Sequence, residues 1–216
     1  SLAVFEKTIE DLQRLYNVKV EGLVCDAHPG YTTSRWARNQ GLPLYTVFHH
    51  HAHASSAYYE CAAGEPLLVF TWDGVGLGVD GSLWGGEALL GVPGEWHRVA
   101  SMRPFHLPGG DKAGREPWRS AAALCWQSGH EYSALPEDST LLFEAWQRRV
   151  NSPRSTAVGR LFDAAAALTG VCSTASFEGQ GPMLFEALCG EPGSSIELTL
   201  EKSDNLLIIN WEPLVG

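Results

Sequence analysis

From residue 2 to about residue 63 the chain alternates between helical and strand periodicity, and that order restricts its fold more than any other feature. Leu2, Phe5, Ile9, Leu12 and Tyr16 recur at three- and four-residue steps, the apolar face of an amphipathic helix. Residues 22–25 read as a short buried strand ending at Asp26, and a turn-rich loop leads into a short helix over 34–41. Residues 44–48 form a second strand, which feeds a helix running to about residue 63. Helix, strand, helix, strand, helix predicts an α/β layered fold with parallel strands.

The pattern then changes. Residues 67–72 read as a buried strand ending at Asp73, and the glycine-rich stretch 74–81 as a tight turn rather than regular structure. Residues 83–92 and 96–102 are candidate antiparallel partners. Beyond a loop at 104–114 come helical patterns at about 117–128, 138–150, 158–169 and 181–189, with short strands near 196–200 and 206–209. The expected division is 1–104, a layered lobe carrying the metal-site motifs, and 105–216, a mainly helical second lobe. The strands ending at Asp26, His49 and Asp73 are expected to share one sheet, with their ends lining a cleft.

The run Phe48-His49-His50-His51-Ala52-His53 carries the strongest chemical signal, with four of the chain's eight histidines in five positions. Neutral imidazole is the commonest protein ligand for divalent transition metals. In a helix starting at or just before His49, His49 and His53 stack on one face, whereas His50 and His51 point elsewhere. A solvated helix start is the bland reading; a tag remnant is disfavoured because the run is internal. Asp73, at a strand end before glycines, adds a carboxylate, although an ordinary Asp-Gly turn would look the same. Two histidines and a carboxylate suit zinc or iron.

Two loops hold further candidates. Gly109, Gly110, Lys112 and Arg115 precede a helix and could cradle a phosphate, or simply form a charged surface loop. Glu178 and Gly179 precede another helix, where Glu178 could accept hydrogen bonds from a ribose, or the loop could be a plain cap. Asp163, one turn after Arg160, reads as a solvated residue or ion-pair partner. Asp26 and His28 lie at a strand end that could face the same cleft, or form a capped turn. Several chemistries are excluded: no Gly-x-Ser-x-Gly elbow, Walker A loop or His-Glu-x-x-His helix occurs.

Composition sets the remaining bounds. Lys and Arg total 15 against 25 Asp and Glu, a formal charge of −10, which argues against nucleic acid as a partner. Five cysteines without a Cys-x-x-Cys pair argue against a disulfide framework or zinc ribbon. No apolar run is long enough to span a bilayer, and no secretory pattern is present, so a cytoplasmic location is expected.

Taken in order, these strings resemble the HypF family of carbamoyltransferases, which serve [NiFe]-hydrogenase maturation. The resemblance rests on Cys25-Asp26-Ala27-His28-Pro29-Gly30-Tyr31, His49 to His53, Asp73-Gly74-Val75-Gly76, Leu83 to Glu87 and Pro108 to Asp111. Arg115 to Arg119, Gly159 to Asp163 and Phe177 to Gln180 complete it. It covers nearly the whole chain and corresponds to the family's C-terminal domain, which is similar to tRNA threonylcarbamoyl transferases. It implies an actin-like, ribonuclease H-like ATPase fold, incomplete here, with a mixed sheet plus a helical lobe. A divalent metal on His49, His53 and Asp73 is implied, with ATP and carbamoyl phosphate as substrates. Carbamoyl-adenylate and transfer to the C-terminal cysteine of a HypE-type acceptor are implied as well. Both ends are expected to be cut relative to the family, leaving the isolated piece inactive. A tRNA threonylcarbamoyl transferase-like enzyme and a non-catalytic nucleotide- or partner-binding fragment are the alternatives.

Overall fold

The computed structural model describes residues 1–61, 64–136, 139–191 and 193–215. The chain opens with α1 (Leu2–Tyr16), closed by Asn17 in the left-handed conformation. Then come β1 (Leu23–Asp26), α2 (Thr32–Arg38), β2 (Leu44–Val47) and α3 (His49–Glu60). The expected start of α3 at the histidine run holds; its expected end near residue 63 lies outside the described residues. β1 and β2 pair in parallel, with Leu23 opposite Leu44 and Asp26 opposite Val47.

β3 (Leu67–Leu77), β4 (Leu83–Gly91) and β5 (His97–Met102) form an antiparallel meander, with residues 83–92 and 96–102 paired as expected; β3 is not the buried strand expected, because Leu68, Phe70 and Trp72 on one of its faces are more than half exposed. Short strands β6 (Phe105–His106) and β7 (Arg154–Ser155) attach beside β4. At the far side β9 (Leu206–Ile209) pairs in parallel with β5, and β8 (Leu200–Ser203) pairs with β9. The helices α4 (Trp118–Ser128), α5 (Ser139–Gln147), α6 (Val158–Leu168) and α7 (Gln180–Glu186) complete the chain. Residue 138, where the second of the four later helical patterns was expected to begin, lies outside the described residues.

Two expectations need correction. β1 and β2 make a two-stranded sheet of their own, while β3 belongs to the seven-stranded sheet, so the three strand ends do not share a sheet. A βαβ pattern in sequence fixes the parallel pair, but β3 is captured by its own hairpin partner, β4. The glycine-rich stretch also does not stop β3. The strand passes through Asp73, its register with β4 breaks between Trp72 and Gly76, and pairing resumes to Leu77. The turn comes later, where the Gly78 N–H donates to the Ser82 carbonyl at 2.9 Å. The larger sheet draws strands from both sides of residue 104, with β5 pairing β9 and β4 pairing β7.

The core lies on the sheet. Phe105, Leu107, Leu124, Trp211 and the alanines of α4 and α6 form the main buried cluster. Alanine suits this helix pair because small side chains let the two backbones approach closely. A second cluster of Ala54, Trp84, Leu89 and Trp96 fixes α3 on the other part of the sheet. These contacts bring the first turn of α3 against Asp73.

A candidate metal centre beside a cleft

Because α3 begins at His49, the four-residue step to His53 places both rings on one face, with centroids 4.8 Å apart. Gly76 on β3 permits this docking. A Cβ there would lie 2.6 Å from His50 Cε1 and 2.7 Å from His49 Cδ2. Gly76→Ala is therefore expected to displace the first turn of α3 and lower stability by about 1–3 kcal/mol. Thermal unfolding measures this, and an unchanged midpoint would show that the helix accommodates the methyl group.

The docking brings His49, His53 and Asp73 together, their ligand atoms all within 4.8 Å of one another. His49 Nε2 is 2.8 Å from Asp73 Oδ2 and 3.2 Å from His53 Nε2. The third edge, His53 Nε2 to Asp73 Oδ2, is 3.9 Å. Donors about 2.0–2.2 Å from one tetrahedral ion stand roughly 3.3–3.6 Å apart, so the spread fits a shared ion after small shifts. The other ring nitrogen of His49, Nδ1, meets Asp26 Oδ2 at 3.1 Å. With Nδ1–H donated to Asp26, the Nε2 lone pair faces a carboxylate oxygen at hydrogen-bond distance. Two electron-rich atoms so close need a proton or a cation between them. A carboxylate that orients a metal-binding imidazole through its second nitrogen is a recurrent arrangement in metal sites.

Asp26 thus joins the site through one oxygen, while its other oxygen accepts the His28 N–H at 2.7 Å. His28 stays outside. Its Nδ1 accepts the Gly30 N–H at 3.1 Å and its ring stacks on Tyr31, the arrangement of a capped turn. His50 differs from expectation, because it does not point wholly away. It is buried, its Nε2 is 3.7 Å from Asp73 Oδ2, and neither ring nitrogen has a hydrogen-bond partner among the described residues. Burial, reinforced by the neighbouring His49, pushes its pKa down to about 4, so it is neutral near pH 7. His51 leans on Phe48, and burial lowers its pKa too.

Next to the triad opens a cleft of about 500 Å³, lined among others by Gly110, Asp111, Arg115, Arg160, Phe177 and Glu178. Three expected phosphate- or nucleotide-binding positions, Gly110, Arg115 and Glu178, line it directly. Gly109 and Gly179 do not; both are left-handed, at φ 85° and 80°, and start the short helical turn at Gly110 and α7 respectively. Lys112 is exposed on that turn and lines no part of the cleft. Asp163 is buried beneath the wall, 2.9 Å from Arg160 Nη1. This contact is ionic without good hydrogen-bond alignment, and Asp163 Oδ2 accepts no hydrogen bond among the described residues. Burial pushes the Asp163 carboxyl up to about 6, with Arg160 opposing that rise and Glu178 adding to it.

Gly74 is the hinge between triad and cleft. A Cβ there would lie 2.9 Å from Glu178 Oε1 and 3.2 Å from Arg160 Nη2. Gly159 packs so closely against this segment that a Cβ on it would meet Gly74 Cα at 2.7 Å. Sequence reasoning passed over the residue that secures this region, Glu87. Its fully buried carboxylate accepts the N–H groups of Gly85 and Gly86 at 2.6 and 2.7 Å, the Thr156 hydroxyl, and Arg98 Nη2 at 3.0 Å. Burial pushes its pKa up, while the donors, Thr156 first, hold it down. A Cβ at Gly85 would strike the Asp73 carbonyl at 2.6 Å, so Glu87 acts on the strand carrying Asp73 through the glycine it holds.

Comparison with known proteins places this geometry in a family. Residues 69–216 match the family model described as "Carbamoyltransferase, Kae1-like Domain, second subdomain", and residues 1–60 match "HypF Kae1-like domain". The chain belongs to the HypF carbamoyltransferase family. It is 35% identical to carbamoyltransferase HypF of Synechocystis sp., an alignment covering 98% of this chain and 31% of that protein. It is 38% identical to HypF of Rhizobium leguminosarum over 86% of the chain and 25% of the relative. A crystal structure of full-length HypF in a phosphate- and nucleotide-bound form superposes with a TM-score of 0.89 at 29% identity, covering 99% of this chain and 29% of that one. HypF from T. kodakarensis gives 0.84 at 26%, covering 99% of this chain and 30% of that one. The chain therefore spans about a quarter to a third of the length of these relatives. Its fold is the mixed α/β, ribonuclease H-like and actin-like fold that the resemblance implied. Among the described residues, no helix is long and apolar enough to cross a membrane.

Proposed function

We propose that this chain is the carbamoyl-transfer part of a [NiFe]-hydrogenase maturation protein. The observation that carries the proposal is the junction at Gly74, where a His-His-Asp donor set and a nucleotide-sized cleft meet within a HypF-family fold. In this reading residues 1–104 supply the metal donors and residues 105–216 most of the cleft wall. His49, His53 and Asp73 hold a divalent metal, zinc or iron. When bound, such an ion offsets phosphate charge and polarises a carbonyl. Asp26 keeps the Nδ1 proton of His49, so that Nε2 stays free to bind. The cleft residues Gly110, Arg115 and Glu178 receive ATP or the carbamoyl-adenylate made from ATP and carbamoyl phosphate. The bound carbamoyl group lies next to the donor set, where the C-terminal cysteine of a HypE-type acceptor would reach it. A cytoplasmic location agrees with the five free cysteines, because reducing compartments keep thiols unpaired.

The test uses a protein that contains this chain at the length of its relatives, with ATP, carbamoyl phosphate and a HypE-type acceptor. Mass spectrometry of the acceptor should detect a carbamoylated C-terminal cysteine. His53→Ala should abolish the product while leaving the protein folded. Equal modification by the variant would show that the donor set plays no part in the transfer.

A further inference from the structure

Arg160 carries a positive charge into the cleft with almost nothing to bond to. It is 5% exposed and lines the cavity, and it is the one buried cation doing so among the described residues. A guanidinium has five N–H donors in a planar fork, and buried donors are normally satisfied. Here Nη1 makes only the poorly aligned contact with Asp163 at 2.9 Å. Nη2 is 3.8 Å from Glu178 Oε1, beyond hydrogen-bond length, and that side chain is 74% exposed and free to swing. Nε has no hydrogen-bond partner among the described residues. The head group sits between two glycines, since a Cβ at Gly74 would lie 3.2 Å from Nη2 and one at Gly114 3.2 Å from Nη1. Nothing but backbone therefore separates it from the Asp73 end of the metal site.

We infer that Arg160 is a specificity-determining residue, its fork receiving a phosphoryl oxygen of the nucleotide so that the reacting end of the ligand lies toward Asp73. Asp163 fixes the guanidinium from beneath, and the loosely held Glu178 gives way to the incoming anion. Fork-to-phosphate pairing is short, charge-assisted and bidentate, which a lysine cannot reproduce. The inference rests on the nucleotide reading of the cleft.

The experiment titrates the folded chain with AMP and, separately, with adenosine by calorimetry. The wild type should bind AMP about tenfold to a hundredfold more tightly than adenosine, the range a charge-assisted hydrogen bond supplies. Arg160→Gln should collapse that ratio toward one while leaving adenosine affinity unchanged, and Arg160→Lys should fall between. Because Gln leaves Asp163 unpaired, circular dichroism checks its fold; should it not fold, the Lys variant, which keeps the ion pair, decides. A ratio unchanged in the folded variants, or a wild type that binds adenosine as tightly as AMP, overturns the role of Arg160. A folded wild type that binds neither overturns the nucleotide reading of the cleft itself.

Discussion

Replacing Glu87 with alanine is expected to cost about 3–5 kcal/mol of folding stability, the range for breaking a buried ion pair by removing one partner. The carboxylate serves Gly85, Gly86, Thr156 and Arg98 at once, so its loss leaves several buried donors unserved. Arg98 keeps Asp80 at 3.2 Å and its stack over Trp84, which limits the damage on that side. Urea unfolding gives the value as a midpoint shift at constant slope. Glu87→Gln, which keeps an acceptor but not the charge, should lose less than alanine does. A midpoint shift equivalent to less than about 1 kcal/mol for alanine, an ordinary surface-type effect, would mean that the network is dispensable.

The second large effect concerns metal affinity. Competition against a chromophoric zinc chelator should give a graded series. Asp26→Asn is expected to weaken binding about 10–100-fold, the usual result of removing the group that orients a ligating imidazole. His53→Ala, which deletes a donor, should weaken it further, and His49→Ala should be the most damaging because His49 touches both other donors and Asp26. His50→Gln should stay close to wild type in metal affinity. Should Asp26→Asn bind as the wild type does while His50→Gln fails, the donor set would have to be redrawn around His50.

The part of the site that could be read from sequence was the part written in local spacing. A four-residue interval on a helix stacks two rings whatever the rest of the chain does, so His49 and His53 were legible before any fold was known. Asp73 was legible as a partner, but for an incomplete reason. It lies at a register break inside a strand rather than at a strand end, and Gly76 after it serves helix docking. Arg160 and Glu87 were missed as site residues because their importance comes from burial, which single-sequence charge patterning does not report. For Glu87 a signal did exist: a carboxylate inside Trp84-Gly-Gly-Glu87-Ala-Leu-Leu cannot be buried without several donors. Sheet membership was the least legible feature, since it depends on which strand wins a partner and not on the strand's own residues.

The parallel pairing of β5 with β9 has a consequence for how the protein comes into being. Ala100, Ser101 and Met102 wait for Leu207, Ile208 and Ile209, and Trp211 then donates its ring N–H to the Arg103 carbonyl at 2.7 Å. Translation at about 5–20 residues per second puts roughly 5–20 s between the synthesis of these two segments. Throughout that interval one side of β5 is an open hydrogen-bonding edge, a template for any passing extended segment. High contact order of this kind slows folding, because distant segments must meet before their pairing is rewarded. The seven-stranded sheet is therefore finished only once β9 has left the ribosome, and a nascent chain stalled before β9 is the species most exposed to aggregation.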